Sequence, residues 1–266
     1  MEYAEDASLT ARFLTRAEWE ELCRLAGSGM DTPQAQAAQE TAARAVTLLS
    51  GAPTPAPAAA ILAGTAQQQT AASPAPELPP VAVDFSQLTA ADGTVAGWLY
   101  GEDTPLNYPV MAGTDNDYYL THLPDGTKNA CGTLFVDCAS AGDFSGRNTV
   151  IHGHHMKNGS MFGWLDRYRD QAYFDAHARL YLLTPDAAYR LDLIAGYTTA
   201  AGGEAYATAF QDEEAFLAFV AAARAESDFV SPVEVQPGDR LVTLSTCAYE
   251  FEHARYVVLA RLTPLS

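Results

Sequence analysis

The residues in this sequence that are best suited to chemistry are a cysteine, a histidine cluster and an arginine, each at one end of an apolar segment. Cys247 ends the run 243–247, which reads TLSTC, and a polar, turn-prone stretch follows over 248–254. A cysteine at the end of a strand and beside a loop is rigidly held and also reachable. A buried structural cysteine is the competing interpretation, and position alone favours it.

Arg255 favours a reactive Cys247 over a buried structural cysteine. It stands eight positions after Cys247 and opens the apolar run 255–262. A hairpin between the two residues would return the guanidinium to the sulfur, where it can stabilise a thiolate or donate hydrogen bonds to the oxyanion formed when a thiolate attacks an amide. Taken alone, Arg255 is more simply a solvated charge at a strand end, so the prediction rests on the pair.

Three histidines supply candidate bases at the end of another apolar run, predicted as a strand over 149–154. In strand geometry His152 and His154 share one face while His155 points the opposite way, and any of the three can act as a base. Histidine pairs also bind zinc, but no Cys-x-x-Cys or His-Glu-x-x-His spacing completes a site, so we predict no metal and no cofactor. A cysteine, a histidine and an arginine at separate strand ends fit nucleophilic acyl transfer.

Short segments rich in β-branched and aromatic residues must position these side chains. Eight of them read as strands, over 95–100, 107–111, 132–136, 149–154, 179–184, 189–197, 240–247 and 255–262. Short strands in this number predict a closed or nearly closed barrel and a mainly β fold. Apolar residues at helical spacing, with acidic residues in the first turn, predict a helix over Asp212–Glu226, before the seventh strand.

The first 80 residues differ in composition from the rest of the chain. Apolar residues at helical spacing between 9 and 26 predict an amphipathic helix, within a helical extension that we assign to 1–50. Residues 51–80 are rich in alanine, proline and glutamine, which is typical of a linker. The catalytic domain is therefore expected over 81–266.

Charge and cysteine content exclude several classes of protein. The net charge of −18, without a basic run, argues against a nucleic-acid partner. The chain has four cysteines, too few for a disulfide framework. Cys131 and Cys138 would lie about 23 Å apart on one extended segment, too far for a disulfide, and are expected to be small buried side chains. The sequence as it stands predicts neither a signal peptide nor a membrane-spanning helix.

These motifs resemble the sortase family and, within it, class B. The run 243–247 with Arg255 is similar to the Thr-Leu-x-Thr-Cys strand and downstream arginine of sortases. The segment 152–155 resembles the class B histidine motif, and by that correspondence the catalytic histidine is His154, while His155 stands where asparagine is usual. Further likeness lies in 97–100, 107–110 and 113–120, and in the helix before the seventh strand.

The resemblance implies an eight-stranded sortase-type barrel and a cysteine transpeptidase. Cys247 would attack the threonine carbonyl in the C-terminal sorting motif of a secreted protein and form a thioester. His154 would protonate the leaving amine, Arg255 would hold the oxyanion, and Thr246 and Ser245 would shape the substrate pocket. An amine of a peptidoglycan precursor or of a pilin subunit would then take the acyl group.

The resemblance also implies a location at the extracytoplasmic face of the cell membrane or at the cell surface, with membrane association. Two other functions remain open from the residues. One is a cysteine hydrolase, or protease, whose acceptor is water. The other is a catalytically silent surface-binding barrel that keeps the fold.

Overall fold

Strands account for most of the regular structure in the computed structural model, which describes residues 77–88 and 90–265. The strands are β1 (Thr94–Tyr100), β2 (Asn107–Ala112), β3 (Leu134–Val136), β4 (Asn148–His152), β5 (Arg179–Leu183), β6 (Ala188–Ala200), β7 (Leu241–Cys247) and β8 (Ala254–Pro264). The α-helices are α1 (Gln171–Ala176) and α2 (Glu213–Glu226), and 3-10 turns occur at Phe85–Gln87, Tyr118–Leu120, Leu165–Arg169 and Glu204–Tyr206. The predicted extension over 1–50 lies outside the described residues, as does the predicted linker except for 77–80.

The strands close into one barrel in the order β1-β2-β3-β4-β7-β8-β6-β5, with β5 returning to β1. The pairs β2–β3 and β4–β7 are parallel, and the other pairs are antiparallel. Closure leaves no unpaired sheet edge. Because β4 and β7 run in the same direction, their C-terminal ends lie at the same end of the barrel, and these ends carry the candidate histidines and Cys247.

Two apolar clusters hold the barrel together. The first fills its interior and includes Leu99, Val110, Ile151, Leu244 and Val258, each with 0 % of its surface exposed. The second lies where α2 covers the outer face of β6, β7 and β8. Burying one large apolar side chain contributes about 1.5–3 kcal/mol, so this packing makes the barrel a rigid support for the strand ends.

The predicted helix before the seventh strand is confirmed as α2, and its first predicted residue is the cap. The side chain of Asp212 accepts a hydrogen bond from the backbone nitrogen of Ala215 at 2.8 Å. Arg147, before β4, donates to both carboxylate oxygens of Glu213 at 2.9 and 2.8 Å and lies over the ring of Phe216. The cap satisfies a free backbone donor, and the ion pair ties the helix to the barrel.

A buried carboxylate stabilises the pairing of β6 with β8. Asp192 on β6 is 4 % exposed and accepts hydrogen bonds from Arg190 at 2.7 Å, Arg261 at 3.0 Å and Thr263 at 2.8 Å. Burial alone would raise the pKa of Asp192, but these hydrogen bonds outweigh it and lower the pKa below its usual value. The carboxylate therefore stabilises the pairing of β6 with β8 while it is ionised.

The strand predicted over 149–154 ends earlier, at His152, so its last two residues were assigned wrongly. After Gly153 the backbone turns away to another partner: Phe162 donates from its nitrogen to the carbonyl of His154 at 3.0 Å, and His155 pairs with Met161. Gly153 also lies so close to Leu134 and Phe162 that a Cβ there would come within 2.6 Å of both side chains. The close packing favours glycine at this bend.

One further expectation differs from the structure. Cys131 is buried as expected, but Cys138 is exposed because β3 ends at Val136 and leaves it in a turn. The short helix α1 had no sequence-based prediction. Within the described part of the chain, no helix is both long and apolar enough to cross a membrane.

Candidate active site

The pairing of β4 with β7 brings the histidine segment beside Cys247. Their parallel register aligns His152 with Ser245. Past the end of β4 the contact continues, because Gly153 donates from its nitrogen to the Ser245 carbonyl at 3.1 Å and accepts from Thr246 Oγ1 at 2.9 Å. The next residue on each segment is His154 on one side and Cys247 on the other.

The antiparallel hairpin of β7 and β8 places Arg255 beside the same cysteine. Cys247 and Arg255 are directly paired, and Ala248 donates from its nitrogen to the Ala254 carbonyl at 3.0 Å to close the hairpin. Residues directly opposite in an antiparallel pair face the same side, with Cβ atoms about 4.5–5.5 Å apart. Arg255 Nη1 donates to the carbonyl of Ala254 at 3.0 Å, and this hydrogen bond holds one end of the guanidinium. The long arginine side chain therefore starts next to the sulfur.

His154 is oriented by a backbone carbonyl. Its Nε2 lies 2.7 Å from the carbonyl oxygen of Leu120, in the turn Tyr118–Leu120. A carbonyl oxygen only accepts, so Nε2 carries a proton, and Nδ1 is the nitrogen left to exchange one. The imidazole is therefore held in the tautomer that suits proton transfer through Nδ1.

A polar wall continues from Cys247 along the barrel's outer face. The hydroxyls of Tyr206 and Ser245 are 2.6 Å apart, and the ring of His152 stacks on Tyr206. His152 Nε2 lies 2.8 Å from Asp137 Oδ2, which also accepts from Asn116 Nδ2 at 3.0 Å. The hydrogen bond from His152 lowers the pKa of Asp137. His152 is thus engaged with a carboxylate, whereas His154 is held by a carbonyl.

Tyr206 and Asp137 were not among the residues singled out from the sequence. Tyr206 ends the 3-10 turn Glu204–Tyr206 between β6 and α2, in a segment whose sequence has no periodicity to mark it. Burial raises the pKa of Tyr206, while the hydrogen bond with Ser245 and the charge of Arg255 oppose that rise, so its hydroxyl lies within electrostatic reach of the site. Asp137 follows the apolar run of β3, and a carboxylate at a strand end was the one available signal.

Ser245 and Thr246 are both buried, at 1 and 2 % exposure. Their side chains point to opposite sides of β7, as alternation along a strand requires. The Ser245 hydroxyl meets Tyr206 on the outer wall, and the Thr246 hydroxyl reaches the carbonyl of Gly153. Thr246 therefore fastens the residue that precedes His154 to the residue that precedes Cys247.

A cavity beside the β7–β8 turn reaches Cys247. A cavity of about 320 Å³ is lined by His155, Asp166, Arg169, Cys247, Ala248, Tyr249, Glu250 and Tyr256. His155 belongs to this side, because its Nε2 lies 3.5 Å from Asp166 Oδ2 and its ring meets the edge of Tyr249. Among the described residues, no three His, Cys, Asp or Glu side chains are grouped to hold a metal ion.

A cysteine, an oriented imidazole and a guanidinium lie at one end of a closed eight-stranded barrel. Residues 101–263 match the Sortase domain family, and the chain belongs to the sortase family of cysteine transpeptidases. Sortase B of Listeria monocytogenes is 34% identical over 181 residues, which cover 67% of this chain and 74% of that protein. The chain is a class B sortase, as its motifs predicted.

Solved structures agree with this assignment. The Staphylococcus aureus sortase B–substrate complex has a TM-score of 0.61 at 28% identity, over 65% of this chain and 81% of that one. Sortase B from B. anthracis has a TM-score of 0.58 at 35% identity, over 63% of this chain and 78% of that one. The predicted mainly β, eight-stranded barrel is confirmed.

Proposed function

We propose that Cys247 cleaves a C-terminal sorting motif of secreted proteins after threonine and forms a thioester with the new carboxyl end. The observation that carries this proposal is the strand register, which sets His154 and Arg255 on either side of Cys247. A nucleophile between a proton donor and an oxyanion donor is the arrangement that acyl transfer requires.

In the first half of the reaction, the Cys247 thiolate attacks the threonine carbonyl. Arg255 donates hydrogen bonds to the oxyanion, where charge develops in the transition state. The C–N bond breaks as His154 gives a proton from Nδ1 to the leaving amine. The hydrogen bond from Nε2 to the carbonyl of Leu120 holds the imidazole in place through this step.

In the second half, the acceptor ammonium releases one proton to solvent, and the neutral primary amine attacks the thioester carbonyl. A C–N bond forms, the C–S bond breaks and the sulfur leaves as a thiolate. The nitrogen gives its second proton to His154, which returns the cysteine and the histidine to the states in which the first half began. We propose a peptidoglycan precursor or a pilin subunit as the source of the amine, at the extracytoplasmic membrane face or the cell surface.

We assign the donor peptide to the polar wall beside Ser245. The partly exposed side chains of Tyr206 and His152 form a polar surface over the buried hydroxyl of Ser245, and this surface leads to Cys247. A substrate complex has been solved for the S. aureus sortase B, and it supports a peptide-binding role for the related barrel here. Thr246 lies behind this surface, and its hydrogen bond to Gly153 holds the histidine segment beside Cys247.

The test is a library of threonine-containing peptides offered with primary amines, with products and adducts identified by mass spectrometry. Cys247→Ala should abolish both peptide cleavage and the thioester adduct, a loss of at least about a thousandfold. The matched control is Cys138→Ala, which removes an exposed cysteine outside the site and should keep full activity.

Cleavage or an adduct that persists in Cys247→Ala would refute the assignment of the nucleophile. Product analysis with and without the amine separates transfer from hydrolysis. If the hydrolysed peptide is the sole product at every amine concentration, the enzyme is a protease. If no peptide is cleaved and iodoacetamide fails to label Cys247 faster than Cys138, the barrel is a silent binding protein.

A further inference from the structure

The cavity beside the β7–β8 turn opens onto Cys247 from the side opposite the polar wall. Ser245 and Cys247 alternate with Thr246 along β7, and Thr246 is paired with Tyr256, which lines the cavity. Tyr256 belongs to the cluster inside the barrel, whereas Tyr206 packs with the cluster outside it. The wall and the cavity therefore lie on opposite faces of the hairpin and meet at Cys247.

The charge of the cavity is negative. The guanidinium of Arg169 is compensated by an ion pair with Glu250 and by Asp228 at 3.7 Å, and it lies over the ring of Tyr256 at 4.4 Å. Asp166 contacts His155 at 3.5 Å, is 47% exposed and remains available to a cation. The lining holds two carboxylates, Asp166 and Glu250, and one guanidinium, and because Glu250 neutralises Arg169, Asp166 carries the remaining negative charge.

The shape and lining also suit an amine. Tyr249 is 74 % exposed and places an aromatic face at the mouth, with its ring braced by the edge contact to His155. An ammonium group favours carboxylates and aromatic faces, and a cavity with net negative charge raises its local concentration. A volume of about 320 Å³ holds the end of a peptide or a lysine-like side chain rather than a folded domain.

We propose that this cavity binds the acceptor amine in its ammonium form, with Asp166 supplying the attraction, Glu250 neutralising Arg169 and Tyr249 forming the wall. The donor peptide then occupies one face of the hairpin and the acceptor the other, so both can be bound while the thioester exists. This inference rests on the proposed function, because it names the side from which the second substrate reaches the thioester.

The test uses the donor peptide found in the library and triglycine as the amine, with N-acetyltriglycine as the analogue that lacks a free amine. Asp166→Asn and Glu250→Gln should each raise the KM for triglycine about threefold, and together about tenfold. The donor kcat/KM should stay unchanged, which also shows that the variants are folded. Added salt should raise the triglycine KM of the wild type and have less effect on the double variant.

The matched control is Glu252→Gln, on the same turn with a side chain that is 91% exposed and outside the cavity lining. It should leave the triglycine KM unchanged. The inference is overturned if Asp166→Asn, Glu250→Gln and Glu252→Gln have the same KM for triglycine. It is also overturned if Asp166→Asn or Glu250→Gln lowers the donor kcat/KM while the triglycine KM is constant, since the cavity would then hold the leaving segment of the donor. A wild-type enzyme that forms no thioester instead refutes the proposed function, and this inference with it.

Discussion

Replacing Thr246 with valine removes the hydrogen bond that joins β7 to the histidine segment. Thr246 is 2 % exposed, and its Oγ1 donates to the Gly153 carbonyl at 2.9 Å. Valine has nearly the same shape but no donor, so a buried carbonyl loses its partner at a cost of about 2 kcal/mol. In a domain of this size that cost lowers the Tm by about 4–8 °C, measurable by thermal unfolding.

The activity should fall by more than the loss of stability explains. Gly153 immediately precedes His154, so a shift of this carbonyl moves the imidazole relative to Cys247. A displacement of about 1 Å at a catalytic group costs up to about a hundredfold in rate. We therefore expect the kcat for donor cleavage, measured well below the Tm, to drop at least about tenfold with little change in the KM for the donor.

Thr246→Ser is the matched control, because serine keeps the hydroxyl and loses one methyl group. It should retain most of the kcat while showing a stability loss of about 1 kcal/mol. The reasoning would be refuted by a folded Thr246→Val enzyme with wild-type kcat. It would equally be refuted if Thr246→Ser lost as much kcat as Thr246→Val.

Three further predictions concern other parts of the barrel. Arg255→Lys keeps the charge but loses the planar set of donors, so the rate of thioester formation should fall about a hundredfold in a quenched-flow assay; an unchanged rate would contradict an oxyanion role. Tyr206→Phe removes the hydroxyl 2.6 Å from Ser245 Oγ and should raise the donor KM about fivefold with kcat retained. Asp192→Asn should cost about 3 kcal/mol at neutral pH in urea unfolding. Because the pKa of Asp192 is lowered on folding, the wild type starts to lose this advantage as the pH falls through 3.8, and the two proteins should converge only below the lowered folded-state pKa.

Much of the fold could be predicted from local patterns. The eight strands follow short apolar and β-branched runs, and the α2 helix follows the spacing of Phe216, Phe219 and Val220 behind the cap at Asp212. These patterns act within a few residues, so they can be read from the chain itself. Local patterns predicted the ends of strands least accurately. The strand that contains His152 ends where tight packing around Gly153 turns the backbone away.

The sequence alone determined the residue types of the site and the likeness to class B sortases, through the run 243–247, Arg255 and the segment 152–155. The residue types alone left three histidines as candidate bases, and the resemblance selected His154 among them. Only the tertiary structure separated their surroundings: His152 meets Asp137, His154 meets the carbonyl of Leu120, and His155 lines the cavity.

The tertiary structure also decided which distant residues are neighbours. Thr246 and Gly153 are separated by 93 positions, and Ser245 and Tyr206 by 39. Such contacts arise because the barrel closes and β4 pairs in parallel with β7, a pairing that no local pattern specifies. The polar wall and the cavity on opposite faces of the β7–β8 hairpin exist only through that closure.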